Sequence, residues 1–323
     1  MQYFSKALVC SLLLSSLATL AIPEASYEQM YREAVLPYYE TGIINSIEGK
    51  KKVRLAYRAF NQNNTRPALI ILPGRGEPIA KYAELVYDLK DLDYTIYLFE
   101  HRGQGESSLI DDCKIQYVRH YKDYVSDLNR FVRTIVKPWS HPKHYLLAHS
   151  MGAAIGTIYA AHHPEFFDAI AFSAPMFDMN TQKHSKRSAR ALGTIMTGIG
   201  QGKKLAATDG NQLTTSQVRA EMNKTILSSS LIDASKISYR WALEALRAIK
   251  HVKYLASKVP ASVLMLQAGK DLHVPALGQD KLCSKFLSCQ KLIYPEAYHE
   301  ILMEADTVRD EALRQIKEFF QRS

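Results

Sequence analysis

Cysteine is scarce: 4 in 323 residues, with one of them, Cys10, inside the first apolar segment. That excludes a small disulfide-built scaffold, and no Cys/His spacing suits a metal site. Glycine and proline number 15 and 12 and form no tract, so collagen-like and low-complexity chains are excluded as well. No internal repeat recurs. The glycine loops lack the lysine and serine spacing of a phosphate-binding P-loop. Basic residues are not interleaved with aromatics in a nucleic-acid pattern, and no nucleic acid is expected as a partner. Only one uncharged apolar run is long. Lys6 is the sole charge ahead of Ala7–Leu20, and Thr19-Leu20-Ala21 offers small residues for cleavage, so residues 1–25 read as an export signal. An uncleaved N-terminal anchor is the alternative, and either leaves the protein exported: periplasmic, secreted or membrane-associated. Val9 before Cys10 argues against lipid attachment there.

With 47% hydrophobic and 23% charged residues, the remainder can bury a full core. Of its three cysteines, Cys283 and Cys289 are near enough in sequence to pair, which leaves Cys113 over; three reduced, mostly buried thiols are the other reading. Ser26–Thr41 forms an N-terminal arm, and 42–60 reads as two strands around Glu48-Gly49-Lys50. A β/α rhythm follows. Strands are expected at Ala68–Leu72, Tyr94–Phe99, Lys143–Ala148 and Ala169–Ser173, and helices at Ile79–Leu89, Val118–Val136 and from Ser150 to His162. The rhythm stops at Pro175 and resumes with a strand at Ser262–Gln267, a helix near Leu277–Phe286, a strand at Gln290–Tyr294 and a helix burying Val308, Ala312, Leu313, Ile316, Phe319 and Phe320. This alternation predicts an α/β fold with a mainly parallel sheet and helices on both faces. Between the halves, 26–175 and 259–323, residues 176–258 show no comparable strand. Their clearest pattern is helical around Ser238–Leu255, so they are expected to form an inserted helical cap.

The strand ending at Ala148 runs into Ala148-His149-Ser150-Met151-Gly152, a near match to the G-x-S-x-G nucleophile elbow with Ala148 in place of the first glycine. Small residues two before and two after the serine let a helix turn sharply off the strand and lift the hydroxyl above the sheet edge. A serine hydroxyl needs a base to take its proton, and the base needs a partner to orient it. Asp271, after the Ser262–Gln267 strand, and His299, after the Gln290–Tyr294 strand, supply both from strand ends on the same sheet edge. Asp280 and Glu296 are rival acids and His273 a rival base. Pro73-Gly74-Arg75-Gly76-Glu77 ends the first strand in a turn that exposes amides, so the N–H groups of Arg75 and Met151 are expected to form an oxyanion hole. The Arg75 side chain either meets an anionic headgroup or is solvated. The loop Glu100–Ser107 reads as a structural turn beside the site.

These residues resemble the bacterial lysophospholipase branch of the monoacylglycerol lipase-like α/β-hydrolases. The resemblance rests on PGRGEP with KYAELVYDL, HRGQGES, AHSMGAAIG, SAPMF, GKDLHVP and YHEIL, and spans roughly residues 40–320. It implies an α/β-hydrolase fold and a serine ester hydrolase acting on single-chain glycerolipids, with Ser150, Asp271 and His299 catalytic and neither metal nor organic cofactor. Independently, 176–258 carries 14 Lys and Arg against 5 Asp and Glu, an excess of nine, as large as the formal charge of the whole chain, +9. A basic cap would draw an anionic membrane surface or a phosphate-bearing substrate. The competing readings are a carboxylesterase, thioesterase or acyltransferase using the same triad, and a catalytically silent lipid-binding fold.

Overall fold

The computed structural model describes residues 21–182, 184–208 and 211–323. The apolar run Ala7–Leu20, read as the heart of an export signal, therefore lies outside the described residues. Eleven strands occur among those described: β1 Ile43–Glu48, β2 Arg54–Phe60, β3 Ala68–Leu72, β4 Thr95–Phe99, β5 Ile115–Gln116, β6 His144–His149, β7 Ala169–Ser173, β8 Leu205–Thr208, β9 Asp233–Ser238, β10 Ser262–Ala268 and β11 Cys289–Tyr294. Eight form the central sheet in the order β1-β2-β4-β3-β6-β7-β10-β11. The first pairings, β1 with β2 and β2 with β4, are antiparallel; from β4 onward every pairing is parallel. Strands β3, β4 and β7 are buried along their whole length, which is why they read as continuous apolar runs rather than alternating ones.

Two apolar layers flank the sheet. One is built on the helices Tyr121–Phe131, Met151–His162 and Tyr239–Leu255, the other on the N-terminal arm, the helix Ala83–Asp88 and the closing helix Asp306–Arg322. In the arm, Tyr27, Tyr31, Val35 and Tyr39 are the buried side. Helix Gln217–Ser228 is fastened to this second layer by Arg219, whose buried guanidinium donates to Glu84 at 3.0 Å, Asp306 at 3.0 Å and the Ile22 carbonyl at 2.7 Å.

Between β7 and β10, the segment read as a largely helical cap carries two strands besides its helices. Strand β8 lies between helices Lys186–Gly198 and Gln217–Ser228 and β9 follows the second; the two strands pair antiparallel, and β5 completes a three-stranded sheet by pairing parallel with β9. Leu205–Thr208 and Asp233–Ser238 are short and, apart from the buried Ser238, only half-buried or exposed, so neither carries the apolar alternation by which a strand is read from sequence. Helix Tyr239–Leu255, capped by Ser238 Oγ accepting from the Trp241 N–H at 3.2 Å, buries Trp241, Ala245, Ile249 and Val252 in the core layer beside helix Met151–His162. Cys283 and Cys289 are disulfide-bonded, joining the end of helix Ala276–Cys283 to the start of β11, and Cys113 is a free thiol.

Candidate active site

Ser150 sits between β6 and helix Met151–His162 at φ 48° and ψ −112°. A side chain at positive φ costs of the order of 1–3 kcal/mol and persists only where its surroundings enforce it. Here the Ser150 N–H donates to the Ser173 carbonyl at 3.1 Å, while the Ser150 carbonyl accepts from Met176 N–H at 3.0 Å. Gly152 lies against the end of β3, where a Cβ would come within 2.5 Å of the Leu72 carbonyl oxygen. Ala148, by contrast, is fully buried and its methyl group fits.

The sequence-expected partners converge on this hydroxyl. His299 Nε2 lies 2.9 Å from Ser150 Oγ, and its Nδ1 lies 2.7 Å from Asp271 Oδ2. The other Asp271 oxygen accepts from the N–H groups of His273 and Val274 at 2.8 and 2.9 Å. Burial raises the Asp271 carboxyl, but His299 beside it and these two amides outweigh burial and hold it below the ordinary carboxylate range. With Asp271 Oδ2 as acceptor, Nδ1 carries the proton and Nε2 is left to take one from serine. The rivals stand elsewhere: Asp280 bonds Gln267 at 3.0 Å and Lys291, and Glu296 pairs with Lys270 on the surface. His273 lies with its ring centroid 5.1 Å from that of His299 and contributes its backbone amide to Asp271.

The turn after β3 is held from several sides. Gly74 N–H donates to Glu77 Oε2 at 2.6 Å and Gly76 N–H to Gln104 Oε1 at 3.0 Å, which fixes the backbone on both sides of Arg75. Gln104 in turn donates to the carbonyls of Gly74 and Glu77, and His101, which burial lowers to about 4, lies with Nε2 3.2 Å from the Pro73 carbonyl. The Glu100–Ser107 loop is thus a brace for this turn. The Arg75 guanidinium is neither simply solvated nor directed to open solvent: it donates to the Ala234 carbonyl of β9 and lies 5.6 Å from the centroid of the Trp241 ring.

Sequence reasoning missed the buried group below the elbow, formed by Glu77, Lys81, Tyr82, His149 and Glu300. Ligand atoms of Glu77, His149 and Glu300 lie within 4.8 Å of one another, a spacing that could suit a cation. The Lys81 ammonium already supplies the positive charge, at 2.6 Å from each carboxylate. The position of Glu300 beside His299 and of His149 beside Ser150 was the available signal.

Ser150 and His299 open onto a cavity of about 340 Å³, within the size range of small-molecule sites. Its walls are largely apolar, with Met179, Leu192, Leu213, Leu227, Ile237 and Leu246 contributed by the segment between β7 and β10.

A mainly parallel sheet carrying a strand–serine–helix elbow, with the acid and histidine on loops after β10 and β11, defines an α/β-hydrolase. Residues 63–306 match the family described as serine aminopeptidase, S33, and the chain belongs to that family. It is 33% identical over 292 residues to lysophospholipase L2 of Escherichia coli K12, covering 85% of this chain and 86% of that protein. It is 30% identical over 310 residues to the probable lysophospholipase L2 of Haemophilus influenzae, covering 92% of this chain and 98% of that protein. Among solved structures, a soluble variant of monoglyceride lipase from Saccharomyces cerevisiae shares the fold with a TM-score of 0.70 at 19% identity, over 87% of this chain and 96% of that one.

Proposed function

We propose that this chain hydrolyses the acyl ester of single-chain glycerolipids, lysophospholipids or monoacylglycerols, through an acyl-enzyme on Ser150. The observation that carries the reading is the hydrogen-bonded chain Ser150–His299–Asp271 at the floor of a largely apolar cavity. Ser150 Oγ attacks the ester carbonyl carbon as His299 Nε2 takes its proton, and Asp271 steadies the resulting imidazolium. The tetrahedral oxyanion is received by the N–H groups of Arg75 and Met151. Support for that pair is the clamped turn on both sides of Arg75 and the place of Met151 in the first turn of a helix, where amides have no intrahelical acceptor. The imidazolium then gives its proton to the departing glycerol oxygen. Water, deprotonated by His299, cleaves the acyl-enzyme and restores the serine.

The acyl chain fits the apolar walls, and each buried methylene adds about 0.8 kcal/mol. The names of the two lysophospholipase relatives point to lysophospholipids among these substrates. Peripheral contact with an anionic lipid surface is supported by helix Lys186–Gly198 and the turn after it, where Ile195 and Ile199 are exposed and Lys186, Arg187 and Arg190 are close in sequence. Export is supported by the charge-poor segment Ala7–Leu20 and by the Cys283–Cys289 bridge, which suits an oxidising compartment. The experiment is kcat/KM for lysophosphatidylcholine, lysophosphatidylethanolamine, lysophosphatidylglycerol, a monoacylglycerol, a two-chain phospholipid, a short ester, an acyl thioester and an aminoacyl amide, for wild type and Ser150→Ala. Preference for single-chain lipids with loss of turnover and fluorophosphonate labelling in Ser150→Ala is expected. Preference for the short ester or thioester without gain from chain length would move the assignment to another acyl donor, and turnover by Ser150→Ala would remove the mechanism.

A further inference from the structure

The proton relay above makes no use of the charged group beneath the elbow. Glu77 Oε2 accepts from Gly74 N–H and from the Tyr82 hydroxyl, both at 2.6 Å. Its Oε1 accepts from Lys81 Nζ at 2.6 Å, and the same ammonium reaches Glu300 Oε1 at 2.6 Å. Every side chain in this set is buried. His149 Nδ1 lies 3.1 Å from the Ser173 carbonyl, which can only accept, so Nδ1 carries a proton. Nε2 faces Glu300 Oε1 at 3.4 Å and Glu77 Oε1 at 3.6 Å. A lone pair directed at two carboxylates is repelled by them, whereas a proton there makes the ring an imidazolium. Charge balance points the same way, because two carboxylates and one ammonium leave a net negative charge out of water, and an imidazolium at 149 neutralises it.

We propose that His149 is held as an imidazolium between Glu77 and Glu300, and that this non-reacting cation, 4.9 Å ring to ring from His299, keeps His299 in the neutral form that accepts the Ser150 proton. The inference rests on the reading of His299 as general base. Burial lowers His149, but Glu300 and Glu77 outweigh it and raise the ring above the ordinary histidine range. Burial likewise raises Glu300, yet His149 and Lys81 hold it well below the usual carboxylate range. The groups facing His149 are Glu77 and Lys81 from the turn after β3 and the helical segment following it, Glu300 and His299 from the loop after β11, and the Ser173 carbonyl of β7. Around His299 stand Asp271 and Glu300, whose carboxylates favour a proton on the ring, with His149 and Ser150, and with the His273 ring at 5.1 Å. Of these, His149 supplies the opposing positive charge. Its charge therefore opposes the pull of Asp271 and Glu300 on a His299 proton. Through Glu77, the same cluster fixes the Gly74 amide and hence the turn carrying Arg75, so Lys81 is a positioning residue as well.

The test is the pH profile of kcat/KM for a soluble ester in wild type, His149→Asn and Lys81→Arg, with Ser150→Ala as control. The Asn side-chain amide can stand where Nδ1 was and still donate to the Ser173 carbonyl, so the change deletes the charge and spares the fold. Loss of the cation should move the acid limb upward by about one pH unit, a tenfold change in proton affinity, while Lys81→Arg leaves it in place. A structural role for His149 would lower activity equally at every pH. In 15N spectra of histidine-labelled wild type, the His149 ring should show both nitrogens protonated at neutral pH. An unmoved limb in His149→Asn, or a neutral His149 ring, overturns the proposal. Hydrolysis surviving in Ser150→Ala would instead overturn the hydrolase mechanism on which it rests.

Discussion

Replacing Gly152 by alanine tests the elbow through its backbone rather than its chemistry. A Cβ there would lie 2.5 Å from the Leu72 carbonyl oxygen and 2.6 Å from that of Pro73. Both obstacles are backbone atoms of β3 and its turn, so neither can rotate aside, and ordinary contact requires about 1 Å of separation between helix and strand. Overpacking of this kind costs roughly 1–3 kcal/mol. The better helix propensity of alanine returns up to about 1 kcal/mol, leaving a net loss of about 0–2 kcal/mol where that return is full. Catalysis should suffer more than stability, because Pro73 leads directly into the turn carrying Arg75. A displacement of about 1 Å at reacting groups can lower the rate about 100-fold. Gly198 is the internal control, since a Cβ there meets nothing within 4 Å, and Gly198→Ala should be neutral or stabilising by up to about 1 kcal/mol. Urea unfolding and kcat/KM of the two variants make the comparison. A Gly152→Ala protein with wild-type stability and wild-type turnover would refute the close-packed elbow.

Three further outcomes follow from the same geometry. Asp271→Asn should cut kcat by about 10⁴, the loss seen in the triad template when the histidine is held in the wrong tautomer, while KM changes little; saturation kinetics give both values. Reducing the Cys283–Cys289 bridge, which closes a short loop, should lower stability by about 2 kcal/mol and leave kcat/KM intact, as read from urea midpoints with and without reductant. Arg75→Ala should raise KM with kcat kept within about tenfold, because the guanidinium grips Ala234 while the backbone N–H is retained, whereas Arg75→Pro, which deletes the N–H, should lose kcat by about 10²–10³; equal effects of the two changes would undo that separation of roles.

The parallel half of the fold was legible because its strands are buried on both faces and its helices on one, so each carries a hydrophobic period. Ser150, Asp271 and His299 were legible because each ends a strand on one edge of the sheet, where topology alone brings them together. What escaped lacks a local signature. The strands β8 and β9 gain their hydrogen bonds from each other and from β5, across more than a hundred residues in the last case, and bury too little apolar surface to imprint an alternation. Arg219 reads as one more basic residue of the cap, yet it is fully buried against Glu84, 135 positions away. The union of Lys81 with Glu300 depends on two loops whose meeting no spacing records. Charge counting therefore overstated the cap's surface charge at Arg219 and missed the buried ion pairs entirely.

These unread contacts share a destination. The segment between β7 and β10 touches each of the three loops that carry the proposed chemistry. Strand β9 meets the turn after β3, where Arg75 donates to the Ala234 carbonyl and a Cβ on Gly76 would stand 2.8 Å from that of Ala234. Residues 213–215 meet the histidine loop: Leu213 accepts from Glu300 N–H at 2.9 Å, and the Glu304 carboxylate accepts from both Thr215 N–H, at 2.8 Å, and Tyr298 N–H, at 2.6 Å. Asn180 meets the acid loop, its N–H donating to the His273 carbonyl at 2.9 Å and its side-chain amide to that of Leu272 at 3.1 Å. A segment that merely roofed the cavity would need none of these bonds. Each lies within five residues of a group proposed to hold the oxyanion, accept the proton or orient the base, so the insertion sets the register of the three loops against one another. The wall proposed to receive the acyl chain is thereby mechanically continuous with the groups proposed to cleave it.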